Sequence, residues 1–277
     1  VGPLKWGIAG AAWAAVIAQY VSAALILWTF FKTKEFYHCR LQEFTLQRQV
    51  LSRVVYISTP QVIERIITYF FNVVVQGYIN VFGSSFIAAY SAYGKVESFL
   101  YMLMSSLSAA MLIFAAQNAG AGKYSRLKQG GRTALTISVS AVAAFGFLMI
   151  LFRYPLMTMF NDDPEVIAYG ATFFLWITPT YLLMCIYNTY GNLMKGVGDV
   201  VPVTVILMSG LVAARQVYLY FGTRYIMNTP MFVVYVMPFG WFVCMVLMMG
   251  YYFTGRWKKK LGLEPASKLE DKAATEQ

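Results

Sequence analysis

The chain has 277 residues, of which 59% are hydrophobic and 12% are charged. This composition supplies more apolar side chains than one water-soluble core can bury, so it excludes an ordinary soluble domain. The net charge of +10 does not indicate nucleic-acid binding, because the basic residues cluster in the connections between apolar stretches. Lipid is therefore the expected solvent, and the chain is predicted to be an all-α membrane protein.

Seven apolar stretches are long enough to cross the hydrocarbon core of a bilayer as helices, which takes about 20 residues. In chain order they are residues 7–31, 54–80, 86–117, 133–152, 166–193, 200–221 and 229–253. The third and fifth stretches are longer than this, so each is expected to tilt or bend, with Gly94 and Pro179 as the break points. The first residue is Val1 rather than methionine, and we expect the chain to be a piece of a longer protein.

Lysine and arginine alternate between crowded and sparse connections. The connections at 32–53, 123–132 and 195, together with the tail from 256 onward, hold most of them, whereas the intervening connections hold Lys5, Arg153 and Arg224. Because loops rich in these residues stay on the cytoplasmic side of a membrane, the crowded set and the C-terminus are predicted to be cytoplasmic.

The second stretch carries polar residues at every fourth position. They are Glu64, Thr68, Asn72, Gln76 and Asn80. Residues four apart are neighbours on a helix surface, so these side chains form a polar ridge. Two interpretations remain open at this stage: the ridge is a wall of an aqueous cavity, or it supplies hydrogen bonds that hold helices together.

The third stretch places a carboxylate among phenols. Tyr90, Tyr93, Glu97 and Tyr101 follow helical spacing and share one side of the helix. Aromatic faces beside a carboxylate favour a lipophilic cation through cation–π attraction and charge. The alternative is that Glu97 and Lys95 each pair with a neighbouring helix to fix its packing. We favour a functional role for Glu97, because acidic residues inside membranes serve proton relays and cation sites.

Two arginines, Arg65 and Arg215, also lie inside predicted spans. Both are expected to have structural roles and to reach the membrane surface along their aliphatic stems. The sequence contains no Ser/His/Asp set, paired catalytic carboxylates or metal-ligand spacing that one helix face could present, so neither an enzyme nor a metal site is expected.

Glycine is concentrated in two of the basic connections. Gly120 and Gly122 lie in the connection after the third stretch, and Gly196 and Gly198 lie in the connection after the fifth. Glycine permits backbone conformations that tight reversals need, so these four residues are predicted to form structural turns.

Several segments resemble one transporter family, in the right order along the chain. Residues 7–19 (GIAGAAWAAVIAQ) resemble the sixth span of multidrug and toxic compound extrusion (MATE) transporters. Residues 72–83 (NVVVQGYINVFG), 87–90 (IAAY) and 94–97 (GKVE) resemble the seventh and eighth spans of bacterial members. Residues 117–123 (QNAGAGK) and 195–202 (KGVGDVVP) resemble the cytoplasmic turns after the eighth and tenth spans.

The resemblance implies that the seven spans are helices six to twelve of a twelve-helix transporter. Residues 1–32 would be the last helix of the N-terminal bundle, 33–53 the cytoplasmic connection, 54–257 the C-terminal six-helix bundle and 258–277 a cytoplasmic tail. The protein would lie in the bacterial plasma membrane and would need the missing N-terminal bundle as a partner. In one branch of the family the coupling acid lies in the first helix, outside this chain. Another branch uses an acid in the seventh helix, which is the helix that contains Glu64, but Glu64 lies closer to Pro60 than that acid does.

The resemblance further implies an antiporter that exports amphipathic, often cationic, small molecules by alternating access, with a proton or sodium ion as the coupling ion and no other cofactor. The cavity would be lined by the ridge residues Glu64, Thr68, Asn72 and Gln76 and by the tyrosine face around Glu97. A lipid-linked oligosaccharide or lipid-precursor flippase of the same superfamily is the first alternative, although it would need several basic cavity residues. A non-transporting membrane scaffold is the second.

Overall fold

The computed structural model describes residues 7–33, 45 and 47–261 of the chain. In this part of the chain the α-helices are α1 (Gly7–Lys32), α2 (Arg48–Ile79), α3 (Ser84–Gly120), α4 (Tyr124–Leu151), α5 (Arg153–Thr158), α6 (Pro164–Ile177), α7 (Tyr181–Gly196), α8 (Val200–Met208), α9 (Arg215–Phe221), α10 (Pro230–Val234) and α11 (Val236–Phe253). Shorter helical segments continue or connect them. They are the 3₁₀ turns Asn80–Phe82, Thr178–Thr180 and Arg256–Leu261 and the π-helical segments Ser209–Ala214 and Gly222–Ile226.

Seven helical stretches of the described residues are long and apolar enough to cross a membrane. They are Ala12–Lys32, Arg48–Phe82, Ser84–Gly120, Tyr124–Leu151, Pro164–Gly196, Val200–Ile226 and Pro230–Phe253. The predicted number and order of spans are therefore confirmed. The boundaries differ most at the start of α2, which begins at Arg48 rather than 54, and of α4, which begins at Tyr124 rather than 133. Hydropathy locates the apolar part of a span, whereas the helix continues into the polar residues that precede it.

One of the two predicted break points is confirmed and the other is wrong. The fifth span is interrupted by the 3₁₀ turn Thr178–Thr180, which contains Pro179, because proline has no N–H to continue the α-helical ladder. By contrast, α3 is continuous through Gly94. A glycine in a helix interior lowers the stability of the helix by only about 1 kcal/mol relative to alanine, and it keeps its backbone hydrogen bonds. It therefore does not break the helix by itself.

The chain divides into two compact units, residues 1–54 and residues 55–277. The first unit contains α1, whose side chains from Ala12 to Phe31 are exposed within that unit. The second unit contains the remaining helices from Val55 onward. Most of the predicted inter-bundle connection at 33–53 and the tail after 261 lie outside the described residues, apart from the first turns of α2.

The core of the second unit is built around α7, which packs against α3, α4 and α11. Near the start of α3 an aromatic cluster joins α3 to α6: the ring of Tyr93 lies 5.8 Å from that of Phe173 and 5.0 Å from that of Phe174. Edge-to-face ring pairs at such distances stabilise a fold beyond their buried area. This packing fixes the position of α3, on which the predicted acidic residue lies.

The turns at 121–123 and 197–199 lie at one end of this bundle, called here the glycine-turn end. The second of them is tied to α11, since the hydroxyl of Tyr251 donates a hydrogen bond of 2.6 Å to Oδ2 of the buried Asp199. The same end contains a close approach of α3 and α7 at Gly196, where an added Cβ would lie 2.6 Å from Cβ of Ala115.

Candidate functional site

Glu97 lies on α3 and accepts a hydrogen bond from the hydroxyl of Tyr181, the first residue of α7. Tyr181 is held in turn against the ring of Trp241, with 4.7 Å between ring centroids. The position of Tyr181 follows from the 3₁₀ turn at Pro179. This turn ends α6, and α7 begins directly after it with Tyr181, level with Glu97 of α3. Sequence spacing did not reveal Tyr181 as a partner of Glu97, since the two residues are 84 positions apart.

Two of the predicted tyrosines lie near the Glu97 carboxyl group. Tyr90 and Tyr93 both interact with it electrostatically, so three phenols surround one acid. The hydroxyl of Tyr93 is buried and has no hydrogen-bond partner in the described part of the chain. Tyr101 differs from them: it is 56% exposed, and it interacts electrostatically with Tyr187. The phenols around Glu97 are therefore Tyr90, Tyr93 and Tyr181, and this group is called here the Glu97 cluster.

Lys95 points away from this cluster. Its Nζ atom lies 5.4 Å from the ring centroid of Phe160, which follows α5. The two neighbouring charged residues of α3 thus contact different elements, Glu97 the start of α7 and Lys95 the turn after α5. The Glu97 carboxyl group is left with a phenol, not a cation, as its hydrogen-bond donor.

The polar ridge of α2 is present, and its hydrogen bonds bear on its two interpretations. Nε2 of Gln76 donates to Oδ1 of Asn80 at 2.9 Å, a bond within the same helix. Oγ1 of Thr68 and Oδ1 of Asn72 are buried and have no hydrogen-bond partner among the described residues. A ridge that held helices together would use these atoms across an interface. Their lack of partners favours the cavity wall over the packing role.

Glu64 lies at the glycine-turn end rather than beside Glu97. It is 9% exposed and interacts electrostatically with Lys195, the residue before the last of α7. Since Lys195 is 14 positions after Tyr181, a rise of 1.5 Å per residue separates them by about 21 Å along α7. The ridge therefore begins at one end of the bundle, and Glu64 and Glu97 belong to different depths.

The four predicted turn glycines divide into two kinds. Gly122 and Gly198 have positive φ angles of 69° and 91°, a backbone region that other residues enter only with strain. Gly120 and Gly196 instead are the last residues of α3 and α7. An added Cβ at Gly120 would have open space around it, whereas one at Gly196 would meet the backbone of α3.

One hollow in the second unit is apolar. It has a volume of about 320 Å³, lies between α3, α4 and α5, and is lined by side chains that include Phe99, Phe145 and Phe160. None of the predicted site residues lines it. Within the described residues there is also no group of three or more side chains placed to hold a metal ion.

Comparison with known proteins identifies the family. The family model described as MatE matches residues 60–220, more than half of the chain. The chain belongs to the MatE family. The resemblance to the MATE family found in the sequence is thus confirmed, and seven helices of the described residues are long and apolar enough to cross a membrane.

Two curated relatives and one solved structure illustrate the similarity. The chain is 27% identical over 261 residues to the probable multidrug resistance protein YoeA of Bacillus subtilis. The match covers 92% of this chain and 56% of that protein. It is 29% identical over 144 residues to the FAD transporter of Shewanella oneidensis, covering 50% of this chain and 30% of that one. A mutant of the Vibrio cholerae MATE transporter VcmN shares the fold, with a TM-score of 0.80 at 16% identity, over 94% of this chain and 59% of the other. The chain therefore spans a little over half the length of the relatives that it matches most fully.

Proposed function

We propose that the chain forms the C-terminal part of an antiporter that exports amphipathic, often cationic, compounds by alternating access. A proton or sodium ion drives the exchange, and the N-terminal bundle of the same protein completes the cavity. The protein lies in the bacterial plasma membrane with its C-terminus in the cytoplasm, as the distribution of lysine and arginine favours. One observation carries the proposal: Glu97 lies inside a membrane-spanning bundle, among three phenols, and without a cationic partner among the described residues.

The Glu97 cluster has the chemistry that exchange of two cations requires. A carboxylate held in a low-dielectric region gains more from a neutralising partner than it would in water. Either a coupling ion or a cationic substrate supplies that partner, but the same carboxylate does not serve both at once. The rings of Tyr90 and Tyr93 add cation–π attraction for an organic cation, which a bound proton does not use. Mutual exclusion at Glu97 therefore links the inward movement of one ion to the outward movement of the other.

The ridge of α2 adds further buried polar groups to the second unit. Thr68 and Asn72 hold buried polar atoms that have no partner in the described residues, and such atoms cost about 1 to 3 kcal/mol each when they stay unpaired. We propose that they contact the transported compound or its water in a state where the cavity is open. Replacement of Asn72 by alanine is then expected to weaken export and to leave the amount of protein in the membrane unchanged.

The experiment is ethidium efflux from cells that express the full-length parent protein, with and without an imposed proton or sodium gradient. Glu97→Gln keeps the size of the side chain and removes its charge, so efflux is expected to fall at least about tenfold, the effect of losing 1.4 kcal/mol. Glu165→Gln is the matched control, because Glu165 is exposed in the first turn of α6. Unchanged efflux in Glu97→Gln at normal abundance would remove Glu97 from the exchange site.

The same experiment separates the alternatives. A flippase for lipid-linked precursors would show no gradient-dependent efflux of ethidium but would move a pyrophosphate lipid, and a scaffold would do neither. The relatives favour the multidrug interpretation, because the relative named multidrug resistance protein covers 92% of the chain and the one named FAD transporter covers 50%. A flippase would need several basic cavity residues, and Lys95 does not supply one, because it is exposed and lies over the ring of Phe160.

A further inference from the structure

Arg215 is buried within the sixth membrane-spanning stretch. It is the first residue of α9, directly after the π-helical segment Ser209–Ala214, and it is 4% exposed. The expectation that its side chain reaches the membrane surface is therefore wrong. A π-helical turn adds a residue to the helix and changes the direction in which the following side chains point. The sequence periodicity of an α-helix did not anticipate this change.

The bundle is built to hold the Arg215 side chain. Gly240 of α11 faces it, and a Cβ added at Gly240 would lie 2.7 Å from both Cγ and Cδ of Arg215. Gly210 lies in the same membrane-spanning stretch as Arg215 and lets the backbone of this stretch approach that of α11. A Cβ added at Gly210 would lie 3.0 Å from the carbonyl oxygen of Gly240. The absence of side chains at both positions leaves a slot for the aliphatic stem of Arg215.

The guanidinium group of Arg215 has no anionic partner among the residues that the structure describes. Its Nη2 donates to Sδ of Met237 at 2.8 Å, a weak acceptor, and its Nε has no partner within the described part of the chain. The groups that interact with it electrostatically are Tyr90, Tyr187 and Cys244, none of which is a carboxylate. Arginine stays protonated in proteins, so it does not avoid the cost of burial by losing its charge. A buried charge without a counterion is strongly destabilising.

We propose that Arg215 binds the anionic group, a carboxylate, sulfonate or phosphate, of a transported amphiphile. Tyr90 and Tyr187 interact electrostatically with the guanidinium group, and their hydroxyl groups would donate to the same anion. The planar guanidinium fork suits such oxyanions. This inference rests on the proposed export function, which supplies the open state that an anion needs to reach an enclosed site. It assigns to the chain a second charged binding position, opposite in sign to Glu97.

The test is the thermal stability of the purified full-length parent protein with two matched probes, benzenesulfonate and benzyltrimethylammonium. A ligand that binds the folded protein raises its melting temperature. Benzenesulfonate is expected to raise it for the wild-type protein and not for Arg215→Met, whereas the shift with benzyltrimethylammonium remains. Arg224→Met is the control for loss of one positive charge, because Arg224 is exposed and lies in the same span. An equal shift with benzenesulfonate in wild type and Arg215→Met would overturn the proposal, as would no shift in the wild type.

Two further variants keep the test decisive if Arg215→Met does not fold. Arg215→Lys retains the charge without the fork and is expected to keep a reduced sulfonate shift. Gly240→Ala fills the slot, so it displaces the stem of Arg215 and is expected to weaken sulfonate binding without a change of charge. A full sulfonate shift in both variants would contradict the assignment.

Export of dyes separates this inference from the proposed function. Cells with the wild-type protein are expected to export ethidium and a sulfonated dye, and Arg215→Met is expected to lose export of the sulfonated dye by about tenfold or more while keeping that of ethidium. Ethidium export without any export or binding of sulfonates would overturn the inference and leave the function intact. Arg215-dependent sulfonate binding without export of either dye would contradict the function and support the site.

Discussion

Replacing Gly196 with alanine tests whether close contact between α3 and α7 sets the stability of the bundle. The new Cβ would lie 2.6 Å from Cβ of Ala115, 2.7 Å from the carbonyl oxygen of Leu112 and 3.1 Å from the amide nitrogen of Ala116. Two of these three atoms belong to the backbone, so no side-chain rotation relieves the clash and the two helices must separate. Overpacking of this kind costs about 1 to 3 kcal/mol, and we expect the upper part of that range.

Gly120 provides a matched control for the same substitution. It is the last residue of α3, as Gly196 is of α7, but no atom lies within 4 Å of its added Cβ. Alanine has the higher helix propensity by about 0.8 to 1.0 kcal/mol, so Gly120→Ala is expected to be neutral or stabilising. Gly122→Ala tests a different cause: the site is open, but its φ of 69° costs an alanine about 1 to 2 kcal/mol.

The measurement is thermal unfolding of the three purified full-length variants in detergent, together with their abundance in membranes. The expected order of stability is Gly120→Ala highest, Gly122→Ala intermediate and Gly196→Ala lowest. Abundance of Gly122→Ala should fall below that of the wild type. Equal stability of Gly120→Ala and Gly196→Ala would refute the argument, because the helix contact would then not limit how closely α3 and α7 approach.

Two other contacts lead to measurable predictions. Tyr251→Phe removes the donor to the buried Asp199 carboxylate, so the free energy of unfolding should fall by about 1.5 to 3 kcal/mol, and a double-mutant cycle with Asp199→Asn should show coupling between the two positions. Gly210→Ala should lower the melting temperature, because its Cβ would lie 2.9 Å from the amide nitrogen of Cys244 on α11, whereas Gly77→Ala, with no atom within 4 Å, should not.

Hydrophobicity alone predicted the number, order and approximate extent of the spans. The bilayer core contains no water to bond the backbone N–H and C=O groups, so apolar stretches of this length satisfy these groups by forming helices. It did not predict where α2 and α4 begin. Many of the residues before each apolar stretch, such as Arg48 and Tyr124, are polar or charged, and the helix extends through them all the same.

The candidate site was predicted in part. Helical spacing placed Tyr90, Tyr93 and Glu97 on one side of α3, and the structure brings these three residues together. It could not find Tyr181, whose position depends on how α7 packs against α3, nor the exposure of Tyr101. Spacing along one helix defines a face, but the depth and partners of that face depend on residues far away in the chain.

Glu97 and Arg215 are linked through a shared neighbour. Tyr90 interacts electrostatically with both groups, although no carboxylate interacts with Arg215 directly. A ligand that moves Tyr90 when it binds at one position therefore changes the surroundings of the other. Linkage requires that the resulting change in affinity is the same in both directions. Compounds that carry both charges would gain from both positions, which follows from the placement of one acid and one base on different helices of the same enclosed bundle.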